Sequence, residues 1–90
     1  MLEAETKVIN RLGLHARAAA QLVRLAGRFK SDVKLKRGDN NVIADAKSIL
    51  SVLTLAAACG TRLKIEADGA DEEKAIAAIK ELFSNGFGEI

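Results

Sequence analysis

The sequence predicts an α+β open-faced sandwich: one antiparallel sheet of four strands with three helices on one face. Three observations predict it. Three stretches alternate apolar and polar side chains, the period of a strand with one buried face, and a short apolar run after a turn supplies a further strand. Two longer stretches repeat apolar residues at i, i+3, i+4 and i+7, the period of an amphipathic helix, and a further segment is rich in apolar residues. The order is βαββαβα, a split βαββαβ unit with a final helix.

Taken in order, Leu2 to Ile9 is the first strand, with Leu2, Ala4, Thr6 and Val8 alternating against Glu3, Glu5 and Lys7. Asn10 to Gly13 is a loop. Ala16 to Arg28 is a helix whose Ala19, Leu22, Val23, Ala26 and Phe29 face the core, and Gly27 weakens its last turn. Asp32 to Arg37 is the second strand. Gly38-Asp39-Asn40-Asn41 is a turn by composition, and Val42-Ile43-Ala44 begins a short third strand, so the pair forms a hairpin. Pattern alone makes Lys47 to Cys59 one helix of about three turns, which Gly60 breaks. Arg62 to Ala67 is the fourth strand. Asp71 is a candidate N-cap, Glu72 and Glu73 suit the helix dipole, and Ala75, Ile76, Ile79, Leu82 and Phe83 form the apolar face of the last helix. Asn85 to Gly88 reads as a loose end.

The totals fit. Ninety residues make a single domain, 1–90, with little room for a second core. The 49% of hydrophobic residues is that of a folded chain, and with three aromatics, all Phe, the core is aliphatic. A net charge of +2 does not demand nucleic acid or an acidic membrane, though it assists docking on acidic partners. The single cysteine excludes an internal disulfide, which suits a reducing compartment. Met1 to Glu5 is too acidic for a signal peptide, and no apolar run is long enough to span a bilayer. The expectation is a soluble cytoplasmic protein without membrane insertion.

His15 is the only histidine. It follows a glycine turn and stands where the first helix begins. A histidine can hold and release a proton, a metal or a phosphoryl group. N–H groups at a helix start lack partners and favour anions. Arg17 adds a planar guanidinium that can grip two phosphate oxygens. Together these features fit a phosphoryl group carried on His15, held by the N–H groups of Ala16 and Arg17. A lone histidine is also often a surface residue or a partner in a hydrogen-bond network, and the residues alone leave both readings open. One histidine and one cysteine are too few for a metal site, and no cofactor is predicted.

Three blocks resemble the HPr family of histidine-containing phosphocarriers, which serve the phosphoenolpyruvate-dependent sugar phosphotransferase system. Gly13-Leu14-His15-Ala16-Arg17 with its small apolar run resembles the family's active-site signature. Ala46-Lys47-Ser48-Ile49-Leu50 resembles its regulatory serine segment, and Gly69-Ala70-Asp71-Glu72-Glu73 the turn into its last helix. The blocks keep family order across essentially the whole chain. One departure is Ala18, where the family usually has proline; another is the 38–41 turn, a residue or two longer than usual.

The resemblance implies that His15 is phosphorylated on Nδ1, with Arg17 at the phosphate. It implies that the segment after Ser48 is a brief helix and then a turn, and that version is taken here. Ser48 is a helix N-cap by type and, by resemblance, the target of an HPr kinase/phosphorylase in some bacteria. The partner interface is assigned to Ala18, Ala20, Arg24, Lys47, Ile49, Leu50 and Leu53. The partners implied are Enzyme I as donor and Enzyme IIA components as recipients in sugar uptake. Arg11 is read as a plain loop charge and Cys59 as incidental. The protein is then a covalent carrier rather than an enzyme with its own small substrate. A regulatory or nitrogen-linked phosphotransferase module is the alternative. A nucleic-acid-binding domain is a third reading, disfavoured by nearly balanced charge and the absence of Tyr and Trp.

Overall fold

The computed structural model describes residues 1–89. Its elements are β1 (Leu2–Lys7), α1 (Ala16–Ala26), β2 (Asp32–Arg37), β3 (Ile43–Asp45), α2 (Ile49–Leu53), β4 (Arg62–Asp68) and α3 (Glu72–Ser84), followed by a 3-10 turn, Gly86–Gly88. The strands lie in the order β1-β4-β2-β3, and every neighbouring pair is antiparallel. This is the expected open-faced sandwich.

One row of side chains shows how alternation builds it. Ala4 faces Ile65, Ile65 faces Leu35, and Leu35 faces Ala44, so one inward row crosses all four strands. Ile65, Leu35 and Ala44 are almost wholly buried. The helices close over this face with Ala19, Leu22 and Ala26 from α1, Val52 from α2, and Ile79 and Phe83 from α3. Burying one such Leu, Ile or Phe contributes about 1.5–3 kcal/mol. The polar partners of the alternation, such as Glu3, Lys34 and Asp68, point to solvent on the open face.

Several boundaries shift for local reasons. β1 ends at Lys7, yet Val8 stays buried and exchanges hydrogen bonds with the β4 approach, its N–H to Thr61 O (2.9 Å) and its carbonyl from Gly60 N–H (2.7 Å). α1 stops at Ala26, and Val23 and Phe29 are only partly buried. Val42 belongs to the turn, where its N–H is taken by Asn40 Oδ1 at 3.0 Å. After α2 the chain leaves the helix through a turn: Leu55 and Ala57 are buried while Ala56 and Ala58 are exposed, a period-two pattern that a three-turn helix cannot produce. Ala56, three residues past the end of α2, adopts φ 48°, a conformation that no continuing helix contains.

Asp71 occupies the N-cap position of α3, but its side chain makes no capping hydrogen bond. Its carboxylate instead accepts from Lys30 N (2.8 Å), Ser31 N (2.9 Å) and Ser31 Oγ (2.5 Å), pinning the α1–β2 connection. The Ser31 hydroxyl and these N–H groups lower its carboxyl to about 2. Glu72 caps backwards, accepting from Gly69 N at 3.1 Å, which holds its own carboxyl below the usual range. The segment after α3 is not loose. Gly86 and Phe87 are buried, and the Phe87 ring packs edge-on against Phe83 with centroids 5.0 Å apart.

Arg37 ties the hairpin to the chain beyond α2. Its Nε and Nη2 fork onto the Asp39 carboxylate (2.7 and 3.0 Å), and its Nη1 donates to Leu55 O at 2.7 Å. Two residues further on, Ala57 O accepts from Leu14 N at 2.8 Å. The loop that carries His15 is thus braced against a segment that Arg37 holds.

Candidate functional site

His15 is the N-cap of α1, with φ −76° and ψ 178°. Its Nδ1 accepts from the N–H of Arg17 at 3.2 Å, and its carbonyl accepts from Ala19 N at 2.8 Å. An imidazole is not a usual cap, and the three small alanines after Arg17 let the first turn pack flat. Ala18 and Ala19 are fully buried, and Leu14 is nearly so. His15 itself is partly exposed, and Ala16 and Arg17 are exposed beside it.

Gly13 sets the approach. It has φ +69°, and a Cβ there would lie 2.6 Å from Ala57 O. Only glycine meets both conditions without moving the backbone.

The other ring nitrogen, Nε2, lies 2.5 Å from Glu89 Oε2. Glu89 Oε1 accepts from Asn10 Nδ2 at 2.8 Å, and the same amide donates to Gly13 O at 2.8 Å. Asn10 is completely buried, and its Oδ1 has no partner among the described residues. Such an orphan costs about 1–3 kcal/mol. Both groups facing Nδ2 are acceptors, which dictates how the amide is turned. The Glu89 carboxyl is held below its usual range by the Asn10 amide first, then by His15 and the charge of Arg17, against the opposing effect of burial.

Glu89 reaches this place through a turn of three successive left-handed residues, Gly86 (φ 58°), Phe87 (φ 56°) and Gly88 (φ 75°). For Phe87 that conformation costs about 1–2 kcal/mol. Its buried ring and the Gln21 Nε2 donation to its carbonyl at 3.3 Å hold it there.

The two nitrogens therefore have different partners. Nδ1 faces a donor and presents a lone pair, whereas Nε2 faces a carboxylate and donates its proton. A nucleophilic lone pair lies at the start of α1, among N–H groups that have no partner within the helix.

The other predicted residues divide. Ser48 caps α2, its Oγ accepting from Ser51 N at 3.3 Å. Ile49, Leu50 and Leu53 are exposed on α2, Leu50 by 79%, and Arg24 is exposed on α1. Ala20 is half-buried. Lys47 is half-buried too, with Nζ donating to Phe29 O at 2.8 Å, so its ammonium serves the fold. Ala18 is a correction: assigned to the partner interface, it has no exposed surface, because it packs under the first turn of α1. Arg11 is exposed and, with Leu12 and Glu89, lines a shallow depression beside His15. Cys59 is exposed, its Sγ 3.6 Å from Ile9 O. Sequence reasoning missed Asn10 and Glu89. Glu89 lies 74 residues from His15, and no local pattern marks the pair. Among the described residues no group of His, Cys, Asp or Glu could hold a metal ion, and no helix is long and apolar enough to cross a membrane.

Residues 2–85 match the family model described as the PTS HPr component phosphorylation site. The chain belongs to the HPr family. It is 51% identical to the phosphocarrier protein HPr of Cupriavidus necator, over 99% of this chain and 98% of that protein. The HPr of Neisseria meningitidis is 44% identical over the same shares. Among solved structures, HPr of Thermoanaerobacter tengcongensis superposes with a TM-score of 0.93 at 38% identity, covering 100% of this chain and 99% of that one. HPr is a phosphocarrier of the phosphotransferase system, and membership gives the partly exposed His15 a chemical context that its geometry suits.

Proposed function

We propose that His15 Nδ1 takes a phosphoryl group from phosphorylated Enzyme I and passes it to Enzyme IIA components in sugar uptake, within the cytoplasm. The observation that carries this reading is the Nδ1 lone pair at the start of α1, 3.2 Å from the Arg17 N–H. When Nδ1 attacks phosphorus, that N–H loses its acceptor and is handed to a phosphate oxygen. The N–H of Ala16 and the exposed Arg17 guanidinium supply further donors. No new backbone arrangement is needed, so the carrier can load and unload the group with little reorganisation.

Docking is assigned to the apolar residues Ile49, Leu50 and Leu53 with Arg24 at the rim and Ala20 beside them, a small patch suited to brief encounters with acidic surfaces. Ser48 is the candidate regulatory site. A phosphate on its Oγ removes the bond to Ser51 N and places about −2 charge next to Leu50, which repels an acidic partner. In a host that uses the relay only for control, the same chemistry serves a regulatory or nitrogen-linked phosphotransferase module.

The test is incubation with phosphoenolpyruvate and the host's Enzyme I, followed by intact mass measurement alongside His15→Ala. One acid-labile phosphate, absent from the variant, is expected. A wild-type protein left unphosphorylated by every Enzyme I of its host overturns the reading.

A further inference from the structure

We propose that Glu89 is a positioning residue for phosphoryl transfer at His15: its carboxylate keeps the proton on Nε2, leaves Nδ1 as the nucleophile, and faces the positive charge that the ring acquires when Nδ1 bonds to phosphorus. The proposal rests on the phosphocarrier reading of His15 and extends it to a residue far away in the chain.

The observations converge on one carboxylate. Glu89 Oε2 lies 2.5 Å from Nε2, and its Oε1 is fixed by the Asn10 amide at 2.8 Å. Asn10 is fully buried, leaves its own Oδ1 without a partner among the described residues, and gives both contacts of Nδ2 to Gly13 O and Glu89. The same amide thus holds both the loop that brings in His15 and the acid that orients its ring. A bond from the carboxylate to one ring nitrogen decides which nitrogen carries the proton. Arrangements in which a carboxylate holds the far nitrogen of a working histidine are a general device for fixing tautomer and orientation.

The step balances as follows. Nδ1 gives its lone pair to phosphorus, and the bond from phosphorus to the donor breaks with its electron pair leaving on the donor. The Nε2 proton stays in place, so the ring becomes a cation facing the Glu89 carboxylate. In delivery the acceptor attacks phosphorus, the P–Nδ1 bond breaks, and its pair returns to Nδ1. The ring again becomes neutral with its proton on Nε2. Stabilising the cationic ring favours departure as neutral imidazole, which a carrier requires. The charged and titratable groups around the Glu89 carboxylate are His15, Arg17 and Arg11, and the carboxyl is held in its anionic form.

The experiment separates shape from charge. Glu89→Ala removes the acceptor, and Glu89→Gln keeps the shape without the charge. Ring nitrogen NMR of the unphosphorylated proteins, with a backbone amide spectrum to show that the fold is kept, reads the tautomer. The wild type is expected to show protonated Nε2 and bare Nδ1, and Glu89→Ala a mixture. Phosphoramidate, a chemical phosphoryl donor that needs no Enzyme I, then loads each protein, and release of phosphate is followed against pH. In Glu89→Gln the pH at which release slows is expected to move down. Transfer from Enzyme I is expected to slow on the order of 10–100-fold in Glu89→Ala, as when a histidine loses the partner of its second nitrogen. An unchanged tautomer in Glu89→Ala together with an unchanged release profile in Glu89→Gln overturns the proposal. Failure of Enzyme I to load even the wild type overturns the phosphocarrier reading instead, and the tautomer and phosphoramidate results still decide the role of Glu89.

Discussion

Gly13→Ala separates the demands of the His15 loop from those of the rest of the fold. Two costs add. A non-glycine residue at φ +69° loses about 1–2 kcal/mol in the left-handed region. The new Cβ would also lie 2.6 Å from Ala57 O and 3.0 Å from Ala58 Cα, both backbone atoms that cannot swing aside. The loop must back away, and the Leu14 N–H to Ala57 O bond at 2.8 Å goes with it, a further 0.5–1.5 kcal/mol or about that. The expected loss is about 1.5–3.5 kcal/mol. Gly60→Ala is the internal comparison. Gly60 has φ +95° but nothing within 4 Å of a Cβ, so only the strain remains, about 1–2 kcal/mol. Urea unfolding of both variants measures the difference as a change in midpoint at constant slope. Gly13→Ala should also slow phosphorylation of His15, whereas Gly60→Ala should not. Equal destabilisation by the two substitutions, or unchanged phosphorylation in Gly13→Ala, would refute the claim that contact with Ala57 sets the position of His15.

Leu22→Ala, at a fully buried position of α1, should cost about 2–5 kcal/mol in the same unfolding assay. His15→Ala should lose phosphorylation and, through the missing helix cap, about 1 kcal/mol of stability. Leu50→Ser should leave stability within about 0.5 kcal/mol, because Leu50 is 79% exposed, while raising the KM for phosphorylation by Enzyme I. Asp71→Asn should change the acid limb of the stability profile. The folded carboxyl lies near 2 against an ordinary 3.8, so its stabilisation is full above 3.8 and lost as pH falls through about 2. The asparagine variant should therefore be less stable at neutral pH and show a flatter profile between those values, measured as Tm against pH.

Much of this architecture is written in local periodicity. Leu63, Ile65 and Ala67 alternate with charged residues, and a strand with one wet face is the only element that uses such a pattern. His15 and Arg17 stand out because a glycine turn, a unique histidine and a run of alanines sit together. The limits are equally local. From Ile49 to Ala58 no glycine or proline marks where α2 ends; the stop comes from burial of Leu55 and Ala57 against distant elements. Asn85-Gly-Phe-Gly has the composition of a free end, and contacts from distant residues, the Phe83 ring against Phe87 and Gln21 on its carbonyl, make it a defined turn. Ala18 is equally at home on either side of a helix by composition, and its burial is set by what lies beneath it. Glu89 and Asn10 meet His15 through the tertiary fold alone, so no reading of adjacent residues could join them.

The position of β4 has a consequence for how the chain acquires its structure. Both β1 and β2 pair with β4, the last strand to be synthesised, and Lys7 meets Arg62 across nearly the length of the sheet-forming chain. A chain growing from its N-terminus can form α1 and the β2–β3 hairpin early, since these are local. It cannot place β1, which has no neighbour until residue 62 has been made. The loop-closing entropy is then met in one late step, the signature of a slower, non-local nucleus. A nascent chain arrested before β4 would hold two strands with bare edges, and sticking to other chains would compete with waiting for the missing strand.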